Sequence, residues 1–220
     1  MSFNELVSTQ PISLSTNQVL RKTYFLLSLT LLFSALTAYF SMKTNAQPNL
    51  IIFLVGMFGL QFLTIALRNS PWGILATFLF TGFMGYTLGP ILNLFLRTYT
   101  NGMQIVMMSI GTTGLIFLGL STYVLMTRKN FNYLGGVIAA AIIIAFIAGL
   151  GAIVFNMPAL QLLVSLAFAV LASAYILYTT SEVIHGGETN YIMATVSLYV
   201  ALFNLFTSLL RILGSFSGRE

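Results

Sequence analysis

Long apolar runs alternate with short polar breaks along the chain. Seven runs, over residues 23–42, 50–67, 72–96, 103–126, 134–155, 159–180 and 190–213, each come close to the roughly 20 apolar residues that cross a bilayer as a helix. The breaks carry charges and helix terminators: Lys43 to Asn49 with Pro48, Arg68-Asn69-Ser70-Pro71, Arg97 to Gly102, Thr127 to Tyr133, Asn156-Met157-Pro158, and Ser181 to Thr189. The pattern predicts an all-α integral membrane protein with seven spans. It divides into a polar N-terminal tail over 1–22, a membrane domain over 23–214 and a short C-terminal tail over 215–220. Residues 1–22, rich in Ser, Thr, Asn and Gln and interrupted by Pro11, read as a mobile tail. They do not read as a secretory signal, because the charged pair Arg21-Lys22 stands too far along and the run after it is long, with no small-residue cleavage site.

Within the runs, small and polar residues at helical spacing mark the faces along which helices approach one another in lipid. The third run has Gly82 and then Gly85-x-x-x-Gly89-x-x-x-Asn93, with Pro90 inside it, and the fifth has Ala141-x-x-x-Ala145-x-x-x-Gly149. These are expected to be packing seams. Alternatively, Gly89-Pro90 breaks the third helix and frees carbonyls to line a wet path, which a membrane protein tolerates only inside protein. Asn190, Ala194, Ser197, Ala201, Asn204, Ser208 and Arg211 share one face of the last run, predicted to look inward. Ser165, Ala169, Ala172, Thr179 and Glu182 keep a similar spacing on the sixth, so the two stripes could face each other across a polar interior or serve ordinary packing.

Composition narrows the chemistry. Of 220 residues 58% are hydrophobic and 6% charged, with a mean hydropathy of +0.95, against about 25% charged in a soluble domain. The acidic residues are Glu5, Glu182, Glu188 and Glu220, there is no Asp or Cys, and His185 stands alone. A carboxylate dyad deep in the membrane therefore has almost no candidates, and thiolate nucleophiles and disulfides are excluded. The net charge of +5 reads as topology and contact with anionic lipid, since no basic patch is dense enough for nucleic acid. With a cytoplasmic tail, that side would hold Arg21, Lys22, Arg68, Arg128 and Lys129, against Lys43 and Arg97 in the opposite loops. The positive-inside rule then places the N-terminus in the cytoplasm and, after seven spans, the C-terminus on the opposite side of the membrane. A transporter would be expected to show an inverted repeat and a charge at mid-membrane, and neither is evident.

Glu182, His185 and Glu188 form the one concentrated ionisable set, with Gly186-Gly187 between the last two. One reading is structural: Gly186 caps the sixth helix in the left-handed region, His185 meets the negative dipole end, and Glu188 leads into the seventh helix. The other is a pH-sensitive gate, since histidine titrates near neutral pH and neighbouring carboxylates raise its pKa. One imidazole and two carboxylates make a poor closed metal site, so no metal or other cofactor is expected.

Several stretches resemble the Bax inhibitor-1, or transmembrane Bax-inhibitor-motif, family, and more closely its bacterial YccA-like branch of modulators of the FtsH protease. They are Val19 to Thr30, Thr81-Gly82-Phe83-Met84-Gly85-Tyr86-Thr87-Leu88-Gly89-Pro90-Ile91-Leu92-Asn93, Thr127-Arg128-Lys129 with Leu134-Gly135-Gly136, and His185-Gly186-Gly187-Glu188-Thr189-Asn190-Tyr191 through Leu213-Gly214. The resemblance implies six helices around a central seventh, in an inner-membrane protein that binds the FtsH AAA+ protease complex and restrains its attack on membrane proteins, with no catalysis of its own. It also implies that the tail is the handle the protease engages, which points to Asn4, Glu5, Pro11, Asn17, Arg21 and Lys22. The wider family includes pH-dependent calcium leaks attributed to an aspartate pair on the sixth and seventh helices. Here those positions fall at Thr179 and Ala201, which cannot carry charge. A leak would have to use Glu182, His185, Glu188 and Arg211 as gate residues, with Asn204 lining the interior.

Overall fold

The computed structural model describes residues 3–47 and 49–217, with side chains from Thr16 onward. It is all helical: α1 (Phe3–Lys43), α2 (Leu50–Leu67), α3 (Trp72–Thr98), α4 (Gly102–Thr127), a 3-10 turn (Asn132–Leu134), α5 (Gly135–Val154), α6 (Pro158–Ile184) and α7 (Tyr191–Phe216). Each contains a stretch of 18 residues or more that is apolar enough to cross a membrane. At about 1.5 Å per residue, the shortest reaches nearly the full thickness of the hydrocarbon core.

Helix ends follow local chemistry. Asn49 caps α2 by accepting from the Ile52 amide at 3.0 Å, and the Ser70 hydroxyl accepts from the Trp72 amide at 3.3 Å where α3 begins. The expected boundary at residue 22 corresponds to no break, because the backbone is helical from Phe3 on. Residues 3–43 contain no glycine, and Ser, Thr and Gln lower helix propensity only by tenths of a kcal/mol each, so a helix nucleated in the span continues outward. α6 likewise runs past the expected end near 180 to Ile184, because Val183 is still buried and Gly186 is the first residue able to reverse the chain.

The chain forms two compact units whose limits fall inside α3, α6 and α7. The first unit, Met1–Gly89 with Thr179–Tyr199, holds α1, α2, most of α3, the last turns of α6 and the first half of α7. Its seam is the glycine row of α3. A β-carbon at Gly82 would lie 2.5 Å from the Phe33 ring. At Gly85 one would run into the Ser34 carbonyl and the Thr37 hydroxyl, and at Gly89 into Ser41 and the Met42 amide. Only glycine lets α3 approach α1 this closely, the device membrane helices use in place of a hydrophobic drive. The expected packing seam is therefore present. The alternative, a break at Gly89-Pro90, is corrected: α3 continues to Thr98 with Pro90 inside it. Proline costs one ladder bond by offering no N–H, and the helix bridges that gap.

The second unit, Pro90–Tyr178 with Val200–Glu220, is built on an apolar knot of Phe95, Ile105 and Leu210, against which Ile91, Leu92 and Phe206 pack. Glycine again allows close approach, at Gly102 against the Phe95 carbonyl and at Gly214 against the Phe95 ring. The small-residue row of α5 meets α6 where Gly149 lies against Val164, the contact expected of that row. Burial differs widely among the helices: half of the α3 span and 44% of the α7 span are buried, against 6% of the α2 span. α2 has the smallest buried share of the seven spans.

Candidate functional site

The polar residues of the first unit form two layers, an interior set of hydroxyls and a rim where α6 turns into α7. The interior set begins with Tyr199, which is 1% exposed. Its hydroxyl lies 3.0 Å from the Thr81 carbonyl and 2.6 Å from the Ser34 hydroxyl. Tyrosine has one hydroxyl proton, and a carbonyl can only accept it, so Ser34 donates to Tyr199 and Tyr199 donates to Thr81. The relay ties α1, α7 and α3 together at mid-span. One turn outward, the buried Thr195 hydroxyl sits 3.2 Å from the Thr23 carbonyl and 2.7 Å from that of Tyr191, joining α7 to the start of the first span. Around them Thr30, Thr77 and Thr81 are fully buried, each donating to a carbonyl of its own helix.

Thr179 and Thr180 are also buried, and neither hydroxyl has a partner within hydrogen-bonding distance. Thr179 belongs to the first unit and Ala201, also buried, to the second. Uncharged side chains at both positions leave no acid to share a proton there.

The rim is a pair of helix caps back to back. Gly186 adopts φ +76°, the left-handed cap the sequence predicts. The amides of Gly187 and Glu188 return to the Glu182 carbonyl at 2.8 and 3.2 Å, satisfying the end of α6. Asn190 then caps α7, its side-chain oxygen accepting from the Ile192 and Met193 amides at 3.0 and 3.2 Å. The other end of that amide donates to the Arg68 carbonyl at 3.0 Å and to the Asn69 side chain at 2.9 Å, holding the α2–α3 turn. Glu188 accepts from the Asn190 amide at 2.7 Å. The Glu182 carboxylate lies against the α-carbon of Gly187, where a β-carbon would be 2.5 Å away. His185 is exposed and places Nδ1 2.9 Å from the Ser181 carbonyl. The Glu188 carboxylate serves backbone geometry, and among the described residues no three His, Asp or Glu side chains converge on a metal position.

On the α7 stripe, Ala194, Ala201 and Ser208 are buried, while Asn190, Ser197 and Asn204 are half-buried. Arg211 departs from it and is exposed. Its place in the last turns lets a long side chain reach the interface, which is where a guanidinium is cheapest. On α6, Ser165, Ala172 and Thr179 are buried and Ala169 and Glu182 half-buried. Gly82, Gly85 and Gly89 are buried, and Pro90 and Asn93 half-buried. Of the tail residues, Asn17, Arg21 and Lys22 are exposed, with the Lys22 ammonium 5.5 Å from the Tyr191 ring centre; the side chains of Asn4, Glu5 and Pro11 lie outside the described residues. Sequence reasoning missed Ser34 and Tyr199. A signal for the first was present, since Thr23, Thr30, Ser34, Thr37 and Ser41 recur at helical spacing within an apolar run.

Three relatives place the chain. The family model described as "Inhibitor of apoptosis-promoting Bax1" matches residues 16–218. The chain is 53% identical over 209 residues, 94% of each chain, to the Escherichia coli K12 protein named "Modulator of FtsH protease YccA". Identity and coverage are the same with the protein named "Inner membrane protein YccA" of E. coli O6:H1. A protein of Pseudomonas aeruginosa named as uncharacterized is 52% identical over 203 residues, 92% of this chain and 91% of its own.

Proposed function

The chain belongs to the family described as inhibitor of apoptosis-promoting Bax1, and we propose that it is a non-enzymatic regulator of the inner membrane that binds the FtsH protease complex and restrains its degradation of membrane proteins. The observation that carries this reading is 53% identity, over 94% of both chains, to a protein named as a modulator of that protease. The mechanism is occupancy. A processive unfoldase needs a terminal segment it can grip, and residues 1–22 are polar and precede the first span. A short helical extension into water is marginal by itself and opens under pull. The pull then meets the first unit, where the glycine seam and the Ser34–Tyr199–Thr81 relay hold α1 to α3 and α7, and extraction stalls. The N-terminus is cytoplasmic and the C-terminus periplasmic, in keeping with the excess of Arg and Lys on the tail side.

The same reading assigns the rim around His185 to holding the fold rather than to conducting ions. Reconstituted protein should pass no more calcium than protein-free liposomes between about pH 6 and 8, the range over which histidine titrates. The central test is co-purification with the protease complex from native membranes, comparing the full chain with a version lacking residues 2–18. Tail-dependent recovery and protease-dependent turnover are expected. Equal recovery with and without the tail would refute the tail as the handle, and no recovery of either would refute the modulator reading.

A further inference from the structure

The turn between α4 and α5 brings two adjacent cations together with aromatic side chains. α4 ends at Thr127, and Arg128 follows with φ +51°. Three other helices reverse in the same left-handed region, α6 with Gly186 and the other two with asparagine, Asn45 after α1 and Asn156 after α5. Asparagine visits this region at small cost, whereas a long side chain costs about 1 kcal/mol there. An arginine at such a position gives up stability and gains a guanidinium on the turn. Lys129 comes next, exposed, its ammonium 5.7 Å from the Tyr123 ring centre. The Tyr123 hydroxyl holds the Lys129 pKa above its ordinary value, so the charge is secure.

Aromatic rings cluster at the same turn. Tyr123 and Phe131 have centroids 6.3 Å apart, and Phe131 and Tyr133 6.5 Å. Met126 is 80% exposed and Tyr133 74% exposed. Apolar surface beside paired cations, at the end of two spans, matches the zone where hydrocarbon gives way to headgroups, the level at which tyrosines settle. Charge complements this. The described residues of the second unit carry Arg97, Arg128, Lys129 and Arg211 and contain no carboxylate.

We propose that this turn is a binding site for the headgroup of an anionic phospholipid, with Arg128 and Lys129 taking the phosphate and Tyr123, Phe131 and Tyr133 fixing its depth. A guanidinium offers paired donors to phosphate oxygens, and the neighbouring ammonium adds a point charge.

The test uses the full chain reconstituted in phosphatidylcholine containing a minority of phosphatidylglycerol, then extracted gently, with the bound lipids counted by native mass spectrometry. The wild type should retain phosphatidylglycerol in preference to phosphatidylcholine. Arg128→Asn with Lys129→Gln should lower that retention on the order of tenfold and leave phosphatidylcholine unchanged. Asn is chosen because it already holds the same backbone conformation at positions 45 and 156, so the variant should fold. Lys129→Gln alone, which leaves the helix cap untouched, should give a smaller loss in the same direction. Arg97→Gln removes a cation elsewhere in the unit and should leave retention near wild type. The proposal is overturned if the wild type shows no preference between the lipids, or if Arg97→Gln lowers retention as much as the turn variant does. Displacement of the lipid by inorganic phosphate would overturn it as well.

Discussion

The two units solve the same packing problem with different materials. In the first, buried hydroxyls reach across helices, from Ser34 through Tyr199 to Thr81 and from Thr195 to Thr23, along a glycine seam. In the second, the buried hydroxyls of Ser109, Thr113 and Ser165 turn back to carbonyls of their own helices. The core there is the apolar knot of Phe95, Ile105 and Leu210. Two bonds that do link helices in the second unit, from Asn101 to Ser217 and from Gln161 to the Ala152 carbonyl, sit near helix ends. A hydrogen bond fixes register and rotation, which close packing alone specifies less sharply. The first unit should therefore be the more uniquely held of the two, and the second the more tolerant of apolar exchange.

The largest effect should come from emptying the knot. Leu210→Ala removes a fully buried side chain and is expected to cost about 3 kcal/mol, read as a lowered midpoint of unfolding in mixed micelles. Gly85→Ala comes next, at about 2 kcal/mol, because its methyl group meets the Ser34 carbonyl and the backbone of α1 has to move. Its counterpart is Gly119→Ala in α4, where nothing lies within 4 Å of the added carbon. That change should fall within about 0.5 kcal/mol of wild type or raise stability. Equal losses at the two glycines would remove the seam as an explanation. Tyr199→Phe keeps the ring and deletes the relay, for an expected loss of about 1 kcal/mol, the scale of interhelical bonds in membranes. Smallest is Thr113→Val, which deletes a bond within one helix and should cost under about 0.5 kcal/mol. A Thr113 effect matching that of Tyr199 would erase the contrast between the units.

Much of this was legible in the sequence, because run length and breakers are local. The spans, the left-handed Gly186, and the glycine row read as a seam all depend on residues within a few turns of each other. What escaped was the choice of partners. Nothing near Tyr199 points to Ser34, which stands 165 positions away, and the two belong to helices whose apolar patterns look alike. Asn190 was legible as part of an inward stripe, yet its main task is at both ends of its amide, capping α7 and holding Arg68 and Asn69. Arg211 continued the spacing of that stripe and left it in the structure, because periodicity cannot show where a helix approaches the interface. The extent of α1 was misjudged for a related reason, since polar composition describes where a segment sits better than whether it is helical.

The bond from Thr195 to the Thr23 carbonyl carries a consequence for biogenesis. The two residues are 172 positions apart, and at a synthesis rate of about 5–20 residues per second the second arrives on the order of ten to thirty seconds after the first. Through that interval α1 is in the bilayer with its glycine-lined partner and without α7. The newborn protein is thus easiest to pull from the membrane while the ribosome is still on it, and each copy becomes resistant only as its last helix docks.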